Sequence, residues 1–448
     1  MTKARMDGAI LVFLGACLPL MLVVNLVIRP SAAAYKDFKG EYLAARSLLA
    51  GSDPYNPAVI ARMDREAGVE QATDTALDHV IVSHYFYPPS IFVVTAPFAL
   101  LPWKVARVLW LLLSAGGLML AALLAYDLGA DYAPLVSGAL VGLVLVNTEV
   151  LLVLCNPSAL DIALSVIAVW CFLRRRFVPL GVLCMALSLA LKPQDAGFIW
   201  LYFLVAGSLY RRRALQSLLA TVALSLAPFV AVFRLAPRWP AELRANLLAL
   251  SVRGGLNDPG PVSAAQHQII DLQSALSYLR DEPRFYNLWS LLIFAVLLAL
   301  WIVITLRARP TAGNAVLALA AIAPLSMLPV MHHLYDCKLL LLTIPSCAWL
   351  WSHHRSLGRV ALLLSAPAIF FSGDIGNSVW SRILRTSPLA SGASGGFHVD
   401  FVLAWTVPTL LLATGLFYLW VDARNANTSG LPDSEAHPLA SMESSPPR

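Results

Sequence analysis

Apolar runs close to 20 residues long recur from one end of this 448-residue chain to the other, and about that length of α-helix crosses a hydrocarbon core. Inside such a core every backbone amide and carbonyl must be satisfied within the protein, so a chain that crosses repeatedly is restricted to a bundle of helices or a closed barrel. Runs of this length select the bundle. Hydrophobic residues make up 58% of the chain and charged residues only 13%, about half the charge fraction of a soluble domain. The sequence therefore predicts an all-α, polytopic membrane protein.

The net charge is +6, from 32 basic against 26 acidic side chains. The basic residues gather at the ends of apolar runs and form no stripe interleaved with aromatics, which argues against a nucleic-acid partner. Cys17, Cys155, Cys171, Cys184, Cys337 and Cys347 lie within or beside apolar runs at no metal-ligand spacing, so they read as small buried hydrophobes. The first run, Ala9 to Ile28 after Lys3 and Arg5, is longer than a signal-peptide core and is expected to be a retained span.

Arg-rich turns assign the sides. "RRR" at 174–176 and 211–213, "RAR" at 307–309 and "HHRSLGR" at 353–359 are expected in the cytoplasm, with Lys3, Arg5, Lys104 and Arg107 beside them. Spans follow near 9–28, 89–101, 105–126, 133–146, 158–173, 178–191, 195–210, 214–233, 287–306, 314–331, 337–351, 358–371 and 399–421. This walk breaks parity after 133–146, and a short returning helix near 148–156 would restore it. The expected total is about 12–14 spans. Irregular backbone at membrane depth needs protein or a water-filled cavity around it, which marks Asn156 in "CNPS" as a cavity-lining candidate.

The domain reading is one membrane unit over 1–421, with outer (periplasmic) loops at 29–88 and 234–286 and a disordered cytoplasmic tail at 422–448. Two helices are expected in the first outer loop, near 37–50 and 57–67, separated by "SDPYNP". Phe38, Tyr42, Leu43, Ala45, Leu49 and Ala50 suit the first of these to an interfacial position. In the second loop "PAELRANLLALSV" and "SAAQHQIIDLQSALSYL" are both amphipathic.

Three polar groups fall on the outer side. Asp37 follows the first span between Lys36 and Lys39, and Glu41, four residues on, is expected to pair with one of those lysines. Lys192 and Gln194 sit in "LALKPQDA" at the outer end of a span. His332, His333, Tyr335, Asp336 and Lys338 crowd the turn "PVMHHLYDCKLL". Adjacent histidines cannot bind one metal from a single helix face, so no metal or other cofactor is expected and hydrogen bonding or phosphate contact is. Tyr87 in "HYFYPPS" carries the chain back into the membrane. A transporter or lipid flippase is the rival reading, with Glu149 and Asp161 as its nearest intramembrane acids. The chain lacks the two-half repeat many transporters have.

"KDFKGEYLAARSLLAGSDPYNP", "YFYPPSIFVVTAPFALLP", "LCNPSALDIALSVIAVW", "LSLALKPQ" and "LPVMHHLYD" resemble, in order, the segments of bacterial glycosyltransferase family 87. The resemblance covers about residues 35–345, with Cys155 where that family has Gly at the Asn turn. It implies the GT-C membrane fold and a polyprenyl-phosphate-sugar donor, mannose first among the sugars. It also implies a glycolipid or polysaccharide acceptor and a site on the outer face of the plasma membrane. By the same resemblance Asp37 is the base, while Lys192 and one of His332 and His333 face the donor phosphate. Tyr87, Asn156 and Gln194 are the remaining expected substrate contacts. A single displacement would invert the anomeric centre.

Overall fold

The computed structural model describes residues 2–31, 34–66, 76–263, 265, 267–309, 311–390 and 395–428. Helix accounts for 81% of it, and there is no strand among the described residues. The chain opens with the long α1 (Lys3–Ile28) and then builds a small cap from α2 (Lys36–Leu49), α3 (Pro57–Glu66), α4 (Ala76–Ser83) and α5 (Phe92–Ala99). The bundle continues through α6 (Trp103–Ala130), α7 (Pro134–Val146), the short α8 (Glu149–Leu154), α9 (Ser158–Arg174), α10 (Val178–Leu191), α11 (Pro193–Val205) and α12 (Ser208–Leu235). Next come α13 (Trp239–Leu250), α14 (Leu272–Ser277), α15 (Pro283–Arg307), α16 (Ala312–Ser326) and a 3₁₀ stretch (Leu334–Thr343) that runs into α17 (Ile344–His353). The last elements are α18 (Arg355–Phe371), α19 (Asp374–Thr386) and α20 (Gly395–Thr428).

Five of these helices, α1, α6, α12, α15 and α20, are long and apolar enough to cross a membrane; α18 and α19 pass that test only as a pair, bent by 82°. The larger count expected from hydropathy also takes in shorter apolar helices such as Pro134–Val146, Val178–Leu191 and Ala312–Ser326. At 1.5 Å per residue these are too short to cross about 30 Å of hydrocarbon unaided. They run between the ends of the bundle packed inside it. α1 lies on α7 through glycines: a Cβ on Gly138 would come within 2.3 Å of the Gly8 carbonyl, and one on Gly15 within 2.6 Å of the Gly142 Cα.

Contacts define two ends of the bundle. At one, the Arg5 guanidinium meets Asp131, Arg174 reaches Asp131 at 2.6 Å, Arg213 donates to the Phe172 carbonyl at 2.6 Å and Tyr132 packs on His353. At the other, Trp103 at the start of α6 packs on Tyr35 and Phe38, and Arg107 lies 5.1 Å over the Tyr35 ring. α6 thus begins at the end opposite the Arg clusters. This corrects the placing of Lys104 and Arg107 with the Arg clusters, and the reading of 89–101 as a crossing. That segment is only the short helical stretch Pro89–Ala99, with Phe92 buried in the cap core. With it removed, α7 ends and α9 begins at the same end, so α8, which does form, need not restore parity.

The cap has an aromatic core of its own. Phe38 stacks on Trp110 at 4.5 Å and packs on Trp103 at 5.8 Å, and Phe38, Tyr42, Leu43 and Ala45 are fully buried, while Leu49 is 48% exposed. α2 is therefore a core helix of the cap, with most of the side chains expected at the interface packed inside it. Burying several large apolar side chains, at about 1.5–3 kcal/mol each, outweighs the preference of two lysines for water. In the second loop α13 forms as expected, and the described residues of 263–279 yield only the short α14. The residues before α14 pair with the turn ahead of the 3₁₀ stretch: Ile270 donates to the His332 carbonyl at 3.0 Å and Leu334 to that of Gln268 at 2.8 Å. α20 continues to Thr428, so the first residues of the expected 422–448 tail are helical, and the rest lie outside the described residues.

Candidate active site

The site lies where the cap meets the end of the bundle opposite the Arg clusters. Tyr35 sets the entry. Its backbone is left-handed (φ 68°), its amide donates to the Val153 carbonyl at 2.7 Å and its hydroxyl to that of Leu26 at 2.9 Å. α2 is thereby pinned to both α1 and α8, and Asp37 falls in its first turn, where amide dipoles favour a carboxylate.

Asn156 is fixed next. α8 ends on Cys155 in the left-handed region (φ 54°), its carbonyl held by the Trp110 indole at 2.9 Å. The Asn156 side-chain oxygen accepts from the Ser158 amide at 2.9 Å, an Asx-type turn that starts α9. The other half of the amide must then point away, and its Nδ2 donates to Asp37 Oδ2 at 2.6 Å.

Behind Asn156 lies a buried charge network. Lys192 Nζ donates to Ser158 Oγ at 2.6 Å and to Asp336 Oδ1 at 2.9 Å, and is ion-paired with Asp195 Oδ2 at 3.1 Å. The Ser158 hydroxyl also lies 2.6 Å from both Asn156 Oδ1 and Asp336 Oδ1. Asp336 accepts the His333 amide at 3.0 Å. His332 sits between the Val330 carbonyl, 2.8 Å from Nδ1, and Asp195, 3.0 Å from Nε2. Both neighbours are acceptors, so both ring nitrogens carry protons and the ring is a cation. Burial opposes that charge, but the Asp195 hydrogen bond and its charge outweigh it and hold the pKa above its ordinary value. Two cations, Lys192 and His332, stand among the carboxyls of Asp195 and Asp336.

Burial pushes Asp37 itself up to about 6, against the Asn156 hydrogen bond and the Lys192 charge. His333 goes the other way, down to about 4 through burial. It is neutral and stacked on Tyr335 at 5.2 Å.

Of the residues singled out in the sequence, Asp37, Asn156, Lys192 and His332 join one hydrogen-bonded chain through Ser158, Asp336 and Asp195. His333 borders it, and Tyr87 is buried within electrostatic reach of Glu41, Lys192 and Asp37. Gln194 is exposed and stands outside it. Its neighbour Asp195 is the member that sequence reading passed over, although its i, i+3 spacing from Lys192 was a visible signal. Ser158 carried no such signal. Glu41 does not take up a lysine: Lys39 pairs with Asp64 at 3.1 Å and Glu41 is buried. No group of three His, Cys, Asp or Glu among the described residues is arranged to hold a metal ion.

The family model described as glycosyltransferase family 87 matches residues 85–331, more than half of the chain. No curated protein and no solved structure matches it.

Proposed function

Because the chain belongs to glycosyltransferase family 87 and is a glycosyltransferase built on membrane-length helices, we propose that it transfers a hexose, mannose first, from a polyprenyl-phosphate donor to an envelope glycolipid or polysaccharide. The observation that carries this is Asp37, held 2.6 Å from Asn156 at the edge of a buried charge network. With its pKa near 6 it is ionised at neutral pH yet close enough to that pH to act as a general base.

In the proposed step the acceptor oxygen attacks C1 as its proton passes to an Asp37 carboxylate oxygen. The C1–O bond to phosphate breaks on the opposite side, so the anomeric centre inverts and polyprenyl phosphate leaves with the electron pair. Lys192 and His332 supply positive field to that leaving group. His333, at the border of the network, is the group left to meet the phosphate directly. Such a donor brings its own phosphate and lipid, which fits a chain without a glycine-rich nucleotide fingerprint. The Arg clusters at the opposite end favour the cytoplasm, which turns Asp37 to the outer face of the plasma membrane.

The test is transfer from a panel of polyprenyl-phosphate sugars in a reconstituted membrane. Asp37→Asn keeps the size and most hydrogen bonds while removing the proton acceptor. Turnover should fall by roughly 10²–10⁴-fold with donor affinity little changed. A wild type that transfers sugar together with an equally active Asn variant would show that Asp37 is not the base.

A further inference from the structure

Glu41 lies one turn beyond Asp37 on the same face of α2. It is 3% exposed, and its Oε2 has no hydrogen-bond partner. Tyr85, from the segment that leads the chain out of the cap, is in the same condition. It too is 3% exposed, with a hydroxyl that has no partner. Its ring packs against Tyr55 at 5.4 Å and Phe92 at 5.5 Å, so the hydroxyl cannot swing away to find one. The Glu41 charge is felt by both Tyr85 and Tyr87, which places these polar heads in one region beside Asp37.

Two buried polar groups left unpaired are unfavourable, and apolar residues of similar shape would be more stable there. Burial, and then the charge of Asp37, pushes the Glu41 pKa well above the usual carboxylate range. The unpaired carboxyl oxygen and the phenol hydroxyl between them offer an acceptor and a donor. A sugar presents neighbouring hydroxyls that also donate and accept. A simple alcohol has nothing left to offer once its one hydroxyl is at the base.

We infer that Glu41 and Tyr85 form an acceptor subsite that holds the non-reacting hydroxyls of the sugar acceptor. This rests on the glycosyl-transfer reading above and names the residues that recognise the acceptor at that same site.

The experiment uses the full chain in a reconstituted membrane, polyprenyl-phosphate-mannose as donor, and octyl mannoside, its monodeoxy analogues and octanol as acceptors. Wild type should use octyl mannoside, discriminate against at least one deoxy analogue, and leave octanol untouched. Glu41→Leu should raise the acceptor KM on the order of tenfold, the loss of one buried hydrogen bond, and abolish the deoxy discrimination. Its donor KM should hold, and it should melt no lower than wild type. Glu41→Gln, which restores a donor and an acceptor, should recover most of the loss. Tyr85→Phe removes one oxygen from a packed ring and asks the same question should the Leu variant fail to fold.

Acceptor KM unchanged in Glu41→Leu, or in Tyr85→Phe where that variant stands in, overturns the subsite, as does octanol serving as well as the hexoside. Either result would leave the transfer reading standing. A wild type that transfers to none of these acceptors from any donor overturns both.

Discussion

Both ends of the bundle carry a carboxylate–cation network, and the two are built for different surroundings. At the Arg-rich end Arg174 joins Asp127 and Asp131, and Arg5 joins Asp131, with side chains 22% to 47% exposed. At the Asp37 end Lys192, Asp195, His332 and Asp336 are 2% to 5% exposed. Water screens the first network, so each bond contributes little and any one can be lost. In the second each charge has given up its hydration and depends on all the others. Similar pairings therefore tie helix ends together at one side, and at the other fix an amide, a hydroxyl and a base in one geometry.

The comparison can be broken in several places. The largest expected effect after loss of Asp37 is that of Lys192→Met, which leaves Asp195 and Asp336 buried without their shared cation. It should cost on the order of 3–5 kcal/mol, seen as a large drop in melting temperature of the purified protein. Normal melting would mean that the network tolerates an open charge and is no drier than the other. For the same reason weakened donor binding in this variant counts as a phosphate contact only if the fold survives.

The next effect is on pH. Turnover should fall about tenfold for each pH unit below roughly 6 as Asp37 takes up a proton. Stability has the opposite sign. The Asp37 pKa is raised from 3.8 to about 6 in the fold, so between those values the unfolded chain sheds a proton that the folded one keeps. Its contribution to stability is therefore lost as pH rises through that window. Asp37→Asn should remove both slopes. A rate that stays flat from about pH 7 to pH 5 would assign the base elsewhere. The smallest effect is that of Arg174→Met, about 1 kcal/mol or less. A loss as large as that for Lys192 would put both ends in one class.

Much of this was legible in the sequence. The helix at Val178–Leu191, the pair of helices in the first loop and the short helix before Asn156 fall within a few residues of expectation, because apolar length, proline and turn residues are local signals. Pro89–Ala99 was misread for the same reason: hydropathy cannot separate a short helix buried in a cap from part of a span. The error carried Lys104 and Arg107 to the wrong end. Asp37, Lys192 and His332 stood out singly, but their joining did not, since Lys192 meets Asp336 across 144 positions and no sequence period spans that distance. The fate of Glu41 was hidden too, because a pairing rule for solvated helices says nothing of a helix buried on that face.

The glycine contacts between α1 and α7 bear on how the protein is made. α1 leaves the ribosome before α7 and must wait in the bilayer, holding a nearly bare strip of backbone, until α7 arrives to cover it. A foreign leader helix fused in place of residues 3–28 could still steer the remainder into the membrane. It would meet Gly138 and Gly142 with side chains where this chain has only main chain at Gly8 and Gly15. Such a chimera should insert and then fail to close, with the anchor of Tyr35 on the Leu26 carbonyl, and with it the seat of Asp37, the first geometry to be lost.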